Sequence, residues 1–384
     1  MSAPYDILII GGGIQGAGCA QAAAAAGYSV VVLEKYDRPG LGTSCKSSKL
    51  IHGGLRYLET AQIKLVYECL HERKLLLKNA PHLVKLKPFY IPVYKNSIRK
   101  PWLIWLGLML YTLLSGKGFE KVSKDEWGRL DGLNTKDLLA VFKYYDGQTD
   151  DQRLTEAVMQ SAQQLGAEFI PSAELVSADC SAGLCEALYK QGDEQKQISA
   201  RVIINAAGPW ANLVLQNITP KPPLADMDLV LGTHIIVSGS LQQGMYYMEA
   251  PQDQRAVFVL SWPDGIMIGT TETEFHGSPD QVMPPESDIE YLIEVYNHYF
   301  QHSISRADVK QAFAGLRVLP AGGDAFSRSR DIMIHNEAVN PQTFTVYGGK
   351  LTAYRSTGER VLKLIKPLLP ERKQKADVKR LCLP

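Results

Sequence analysis

Three glycines and a carboxylate offer the first recognisable chemistry in this sequence. Gly11, Gly13 and Gly16 form a G-x-G-x-x-G turn directly after the apolar run Tyr5–Ile10, and Glu34 follows eighteen residues past Gly16. The first glycine permits a tight turn, the second lets backbone approach a pyrophosphate, and the third lets helix and strand pack closely. The N-terminus of the next helix offers unpaired N–H groups and a partial positive charge to phosphates. Glu34 ends a second apolar strand, where its carboxylate can accept hydrogen bonds from both ribose hydroxyls and disfavours a 2′-phosphate. Strand, glycines, helix, strand and acid in this order specify a dinucleotide. The motif alone does not separate NAD from FAD, and its place at the start of a chain of 384 residues leans towards FAD.

A second segment, Gly42–Glu59, reads GTSCKSSKLIHGGLRYLE. Its hydroxyls and backbone N–H groups suit a pyrophosphate and a flavin edge, and Gly53–Gly54 permits close backbone approach to a flat ring. His52 and His234 are candidate bases, because neutral imidazole titrates near working pH, and His234 is favoured for its place in a later strand. Tyr57 offers a hydroxyl. Gly348, Gly349 and Lys350 open the last helix. Its N-terminus, with Lys350, could stabilise the negative charge that a reduced flavin gains.

The elements that must position these groups follow from the hydrophobic pattern. An alanine-rich helix runs from about Ile14 to Ala26 and Gly27 ends it, and Ser29–Leu33 is the second strand. Residues 61–78 have helical spacing with Ile63, Val66, Leu70 and Leu77 as a buried stripe, ended by Pro81 and Pro88. Asp150 or Asp151 caps a helix running to about Leu165, and Gly166 stops it. Ala167–Ile170 and Glu174–Ser177 read as strands, and Val202–Asn205 leads into a turn at Ala206, Ala207, Gly208 and Pro209. From about Leu224 to Thr271, short β-branched strands alternate with turn residues, including Ile235–Val237, Val257–Leu260 and Ile266–Gly269. That pattern is an antiparallel sheet. A helix near Ser287–Phe300 and a strand at Phe344–Tyr347 complete the reading.

Bulk properties narrow the class. The length suggests two or three units. Hydrophobic residues make up 45% and charged residues 21%, an ordinary globular balance, and a net charge of +1 gives no field for nucleic acid. The six cysteines, at 19, 45, 69, 180, 185 and 382, form no C-x-x-C pair. Free thiols are therefore expected, with no disulfide framework and no metal site. No leader is legible at Met1–Asp6, and no apolar run reaches the roughly 18–20 residues that span a bilayer. A cytoplasmic protein is expected, with peripheral attachment to the cytoplasmic face of the inner membrane as the refinement.

Taken together, the motifs closely resemble the FAD-dependent glycerol-3-phosphate dehydrogenases, members of the wider D-amino-acid-oxidase-like flavoprotein group. The resemblance rests on IIGGGIQGAG, SSKLIHGGLRYLE, HERKLLLKNAPHL at 71–83, NAAGPW at 205–210, GTHIIV at 232–237, IGTTETE at 268–274, AGLRVLP at 314–320 and YGGKLTAYR at 347–355. It implies an α/β fold, α+β overall. A Rossmann-like FAD domain would take 1–77, 145–222 and 322–384, and an antiparallel-sheet cap domain 78–144 and 223–321. It implies FAD contacts at Gly11, Gly13, Ile14, Gln15, Gly16, Glu34, Lys35, Thr43, Ser44, Ser47, Ser48, Lys49, His52, Gly53, Gly54, Leu55, Val176, Ala206, Ala207, Gly208, Trp210, Arg317, Gly349, Lys350, Leu351 and Thr352. Arg317 and Arg330 match arginines that hold the substrate phosphate in the family, and Arg56 matches another substrate-facing arginine, with Tyr57, His234 and Thr271 as further substrate contacts. The implied reaction removes hydride from the carbinol carbon of glycerol 3-phosphate while a base, with His234, His52, Arg56, Arg317 and Lys350 as catalytic candidates, handles the proton.

The sequence departs from the family at several points. Glu272 stands where many relatives have aspartate, Cys45 and Lys46 enter a loop one residue longer, and the sequence reaches Pro384 soon after GGKLT, where many relatives continue into a helical domain. Trp102–Leu114 reads WLIWLGLMLYTLL, flanked by Arg99, Lys100, Lys117, Lys121 and Lys124. Thirteen residues are too few to span a membrane but suit its interface, with a buried core helix as the even alternative. The resemblance implies peripheral membrane contact and electrons passed to a quinone, and a homodimer is a further expectation. Competing functions are an oxidase using oxygen, a dehydrogenase of another phosphorylated or carboxylated hydroxy compound, and a flavin-binding subunit without turnover.

Overall fold

The computed structural model describes residues 3–58, 62–322 and 331–384. Its helices are α1 (Ile14–Ala25), α2 (Ile63–Asn79), α3 (Pro101–Ser115), α4 (Asp151–Gln164), α5 (Ala211–Leu215), α6 (Glu286–Tyr299) and α7 (Tyr354–Ile365). The strands sort into two sheets.

The first sheet has nine strands and a parallel centre. Glu168–Ile170, Val30–Leu33, Tyr5–Ile10, Glu194–Asn205 and Asn340–Tyr347 lie side by side, with Ile9 opposite both Val32 and Ile204. Both faces of Tyr5–Ile10 are covered, so it reads as an unbroken apolar run. Ile7 and Ile9 pack under α1, α4 and α7. Leu8 and Ile10 pack under an antiparallel flap, Ala173–Asp179 and Cys185–Gln191. Cys180 and Cys185 are bonded at the turn of that flap, which corrects the expectation of free thiols for this pair, while Cys19, Cys45, Cys69 and Cys382 are free. The tight hairpin brings their Cα atoms to 4.0 Å, a proximity that the spacing alone does not reveal.

The second sheet has ten strands and is mostly antiparallel. The exception is Met245–Glu249, which runs parallel to Val84–Tyr94. Its long pairs are Val84–Tyr94 with Leu138–Thr149, and Met227–Val237 with Val309–Pro320. α6 covers one face through Ile289, Leu292 and Val295. Phe89, Ile91 and Met267 on the other face pack with Val66 and Leu70 of α2 and Leu108 and Tyr111 of α3. Leu50–Ile51, inside the 1–77 stretch, pairs into this sheet, and Leu138–Thr149 runs through the 144/145 boundary. The two sheets therefore interlock through the segment after Gly42.

Two expectations about α2 and one about α3 resolve here. Ile63 is 48% exposed and leaves the buried stripe, which Leu65, Val66, Cys69, Leu70 and Leu76 carry instead. α2 ends at Asn79, and Pro88 lies inside the strand Val84–Tyr94 rather than beyond a helix end. α3 is not a core helix: only Leu108 and Tyr111 are buried, while Trp102 is 67% and Leu113 75% exposed.

Candidate active site

The carboxyl ends of the parallel strands face the second sheet across a cavity of about 690 Å³. This is within the usual size of a small-molecule site, and its place is where open α/β sheets bind ligands.

At one end the wall is the glycine turn. Gly11 has φ +102°, and a Cβ on Gly16 would lie 1.9 Å from the Gly11 carbonyl oxygen. Gly16 thus sits behind the wall and sets the closeness of α1 to the strand. The buried Glu34 carboxylate accepts from Gly12 N at 2.6 Å and Tyr36 N at 2.9 Å. Burial pushes its pKa up while those two amides pull it down. Two oxygens offer about four acceptor directions, so capacity for ribose hydroxyls remains. Ser44 Oγ accepts from Ile14 N at 2.9 Å, and Thr43 Oγ1 donates to Leu316 O at 3.1 Å, tying this wall to the opposite sheet. Ala206, Ala207 and Gly208 line the same end. Lys35 lies 3.9 Å over the Trp210 ring and 2.5 Å from Asp280, to which Trp210 Nε1 donates at 3.0 Å. Val176 is off the wall: it stands at a register shift of the flap, 38% exposed, while Ala173, Glu174 and Leu175 line the cavity.

The middle of the cavity is built by buried polar hubs. Asp151 accepts from Ser47 N at 3.0 Å and Ser47 Oγ at 2.7 Å, and pairs with Lys49 Nζ at 2.6 Å. Lys49 is therefore a structural lysine behind the wall, not a wall residue. Asp146 accepts from Arg73 Nη1 at 2.5 Å, Tyr111 Oη at 3.1 Å and Gly53 N at 3.1 Å. Burial pushes the Asp146 carboxyl up, against the pull of Arg73. Gly53 is also off the wall, because a Cβ there would meet Tyr111 Oη at 2.2 Å and Leu70 at 2.3 Å. Its constraint is packing against α2 and α3. Gly54, Leu55, His52 and Ser48 do line the cavity, and the His52 ring is 6.2 Å from that of Tyr57.

Gly349, Lys350, Leu351 and Thr352 approach from the far side. A short 3₁₀ turn, Leu351–Ala353, separates Gly349 and Lys350 from α7, so those two precede the helix rather than open it. Gln15 Nε2 donates to Lys350 O at 3.1 Å, and its buried Oε1 has no hydrogen-bond partner among the described residues. Lys350 Nζ lies 4.1 Å over the Tyr57 ring.

The second sheet supplies the charged end. Arg317, in Val309–Pro320, donates to Thr270 Oγ1 at 3.0 Å and pairs with Glu272 at 3.3 Å. Burial, with Arg56 and Arg255 nearby, brings its pKa down to about 10. Arg255 donates to the Glu272 carbonyl at 2.6 Å and lines the cavity. The sequence reading missed Arg255, which lies in a turn region outside the quoted motifs. Thr271 is off the wall: its hydroxyl donates to Asp288 at 2.6 Å and accepts from Thr233 N at 2.9 Å within the core. His234 is 1% exposed, stacked on Phe313 with centroids 5.1 Å apart, and bonded through Nε2 to Ser48 Oγ at 2.9 Å. Burial first, then Arg317 and Lys49, holds its pKa well below 6.5. Arg330 lies outside the described residues.

A parallel sheet with a glycine-turn nucleotide end, roofed by a largely antiparallel sheet, defines the class. Residues 6–355 match the family described as FAD dependent oxidoreductase, and the chain belongs to it. It is similar to the aerobic glycerol-3-phosphate dehydrogenase of Escherichia coli, 37% identical over 94% of this chain and 73% of the relative. It is also 34% identical to the D-erythritol 1-phosphate dehydrogenase of Brucella abortus, over 95% of this chain and 74% of that protein. Among solved structures, the glycerol-3-phosphate dehydrogenase of Bacillus halodurans complexed with FAD superposes with a TM-score of 0.78 at 25% identity. The alignment covers 100% of this chain and 68% of that one. The protein is an FAD-dependent oxidoreductase, and the cradle described above fits the cofactor. The helix N-terminus and Ser44 suit its pyrophosphate, Glu34 its ribose, and the buried Gln15 Oε1 a donor on a bound group.

Proposed function

We propose that the enzyme oxidises glycerol 3-phosphate to dihydroxyacetone phosphate. The observation that carries this reading is the cluster of Arg317, Arg56 and Arg255 beside a neutral, buried His234. Forked guanidiniums suit a phosphate monoester, and all three are half-buried on the wall, which strengthens each contact relative to open water. Bound FAD supplies the two-electron acceptor for the carbinol hydride. The chain's own residues do the rest. Arg317, steadied by Thr270, holds the phosphate. Tyr57 and Lys350 flank the reacting end, and His234 takes the hydroxyl proton. The relatives named above act on phosphorylated polyols, which supports the same substrate class.

Anaerobic mixing of the yellow protein with glycerol 3-phosphate tests this: the flavin absorbance should bleach within seconds. A flavin that stays oxidised at saturating substrate rules the reading out. A second reading, a longer phosphorylated polyol, is favoured by Glu272 at the charged end and by the erythritol-phosphate relative. Faster bleaching with D-erythritol 1-phosphate would select it.

The electron acceptor is proposed to be a membrane quinone, reached at α3. Trp102, Leu103, Trp105, Leu106, Met109 and Leu113 are all exposed, and basic residues flank the helix. No helix among the described residues is long and apolar enough to cross a membrane, so contact would be interfacial. Flotation with anionic vesicles should carry the protein upward, and replacing Trp102 and Trp105 with serine should leave it at the bottom. The units 1–77 with 145–222 and 322–384, and 78–144 with 223–321, are proposed as the nucleotide and substrate domains, with Leu50–Ile51 shared.

A further inference from the structure

The imidazole of His234 reaches the cavity wall, but neither of its ring nitrogens is open to a substrate in the arrangement observed. Its Nδ1 is sealed from solvent and has no hydrogen-bond partner among the described residues. Its Nε2 is already engaged by Ser48 Oγ at 2.9 Å. The ring cannot turn to free either nitrogen. One face stacks on Phe313 at an interplanar angle of 11°, and the backbone of Gly269 presses so close that a Cβ there would lie 2.3 Å from His234 Cδ2. Ser48, by contrast, is half-buried on the cavity wall.

We propose that Ser48 is the group the substrate hydroxyl touches, and that its Oγ relays the proton to His234 Nε2. This deepens the proposed activity and rests on it. The carbinol O–H bond breaks and its proton passes to Ser48 Oγ. The Ser48 proton passes to Nε2 in the same event. The carbinol C–H leaves as hydride, with its electron pair, to the flavin of the established oxidoreductase class. The product carbonyl, one imidazolium and a reduced flavin that would carry the hydride and its negative charge account for every atom and charge.

The aim of Ser48 is built by the fold. Asp151, at the start of α4, grips the residues on both sides: Ser47 through its amide and hydroxyl, and Lys49 through an ion pair at 2.6 Å. Three contacts on one carboxylate leave the intervening serine little freedom. The relay also links phosphate binding to basicity. Arg317 is one of the charges that suppress the imidazolium. A phosphate bound on Arg317 offsets that charge, so the base strengthens when substrate is seated.

The test is a mutant cycle read as the rate of anaerobic flavin reduction per bound flavin. S48A should lower the rate about 100-fold, the usual size of a general-base contribution. The acid limb of its pH profile should vanish. H234A should do the same. The S48A/H234A double variant should be no slower than either single one, because the two residues act as a unit. S48T, which keeps a hydroxyl, should recover most of the rate. The relay is overturned if S48A reduces within about twofold of the parent, if the two losses multiply in the double variant, or if S48T is as slow as S48A. A parent enzyme that does not bleach defeats the proposed activity. A parent that bleaches beside an unimpaired S48A defeats the relay alone.

Discussion

The two ends of the cavity are built by different means. At the nucleotide end the wall is mostly backbone and small side chains: Gly11, Gly13, Ala206, Ala207 and Gly208, with Glu34 the principal charge. At the end proposed for the substrate the wall is charged side chain on the antiparallel sheet: Arg317, Arg255 and Glu272 around His234. The first end works by having nothing in the way. The second works by placing groups precisely against a desolvation cost. The first should therefore fail through steric intrusion and the second through lost charge.

Substitutions can break or sharpen this contrast. The largest effect is expected from G16V, whose Cβ would fall 1.9 Å from a backbone oxygen that cannot swing aside. The purified variant should carry no flavin, read as the ratio of visible to ultraviolet absorbance. Next is D146A, which removes the hub between α2, α3 and the Gly53 turn and leaves Arg73 buried without its ion-pair partner. It should cost about 3–5 kcal/mol in urea unfolding. R317A should raise KM for the phosphorylated substrate about 100-fold, or roughly 2.7 kcal/mol, with flavin content unchanged. Loss of flavin in R317A would show that the two ends are not separable.

The smallest effect concerns pH. His234 has a folded pKa below its ordinary 6.5. Between that lower value and 6.5 the unfolded chain binds a proton that the native chain does not. Stability should therefore fall as pH drops below 6.5, by up to about 1.4 kcal/mol per pH unit for this one group. In H234N that part of the slope should be missing.

The nucleotide end was legible because its signals are local. A strand, a turn and a helix within Tyr5–Ala25 carry their own geometry, and Glu34 follows at a distance the fold dictates. The substrate end was legible only where a family motif covered it, and there Arg317 and His234 do line the cavity. Residues brought in by tertiary packing were not legible. Arg255 and Asp146 carry no local pattern. Thr271, one residue from the wall-lining Thr270 and Glu272, turns into the core, as neighbours along an extended chain do. Val176 fails for a related reason, since a register shift in the flap turns it out. Ile63 fits the helical period, yet it stands in the first turn of α2 with solvent beside it. Whether α3 was core or surface could not follow from thirteen apolar letters, because the answer depends on what packs against it.

α3 has one more consequence. Leu103 and Leu106 line the cavity and are also 42% and 46% exposed, and Gly107 between α3's larger residues has open space where a Cβ would be. α3 therefore turns some of its apolar residues to the chamber while others, such as Trp102 and Leu113, are exposed away from the cavity lining, and the helix is about 10–12 Å across with its side chains. A greasy molecule resting on the outer side and a reactant held within are next-door neighbours. If α3 is the membrane contact proposed above, a change made there to alter adhesion will also reshape the chamber that Leu103 and Leu106 line.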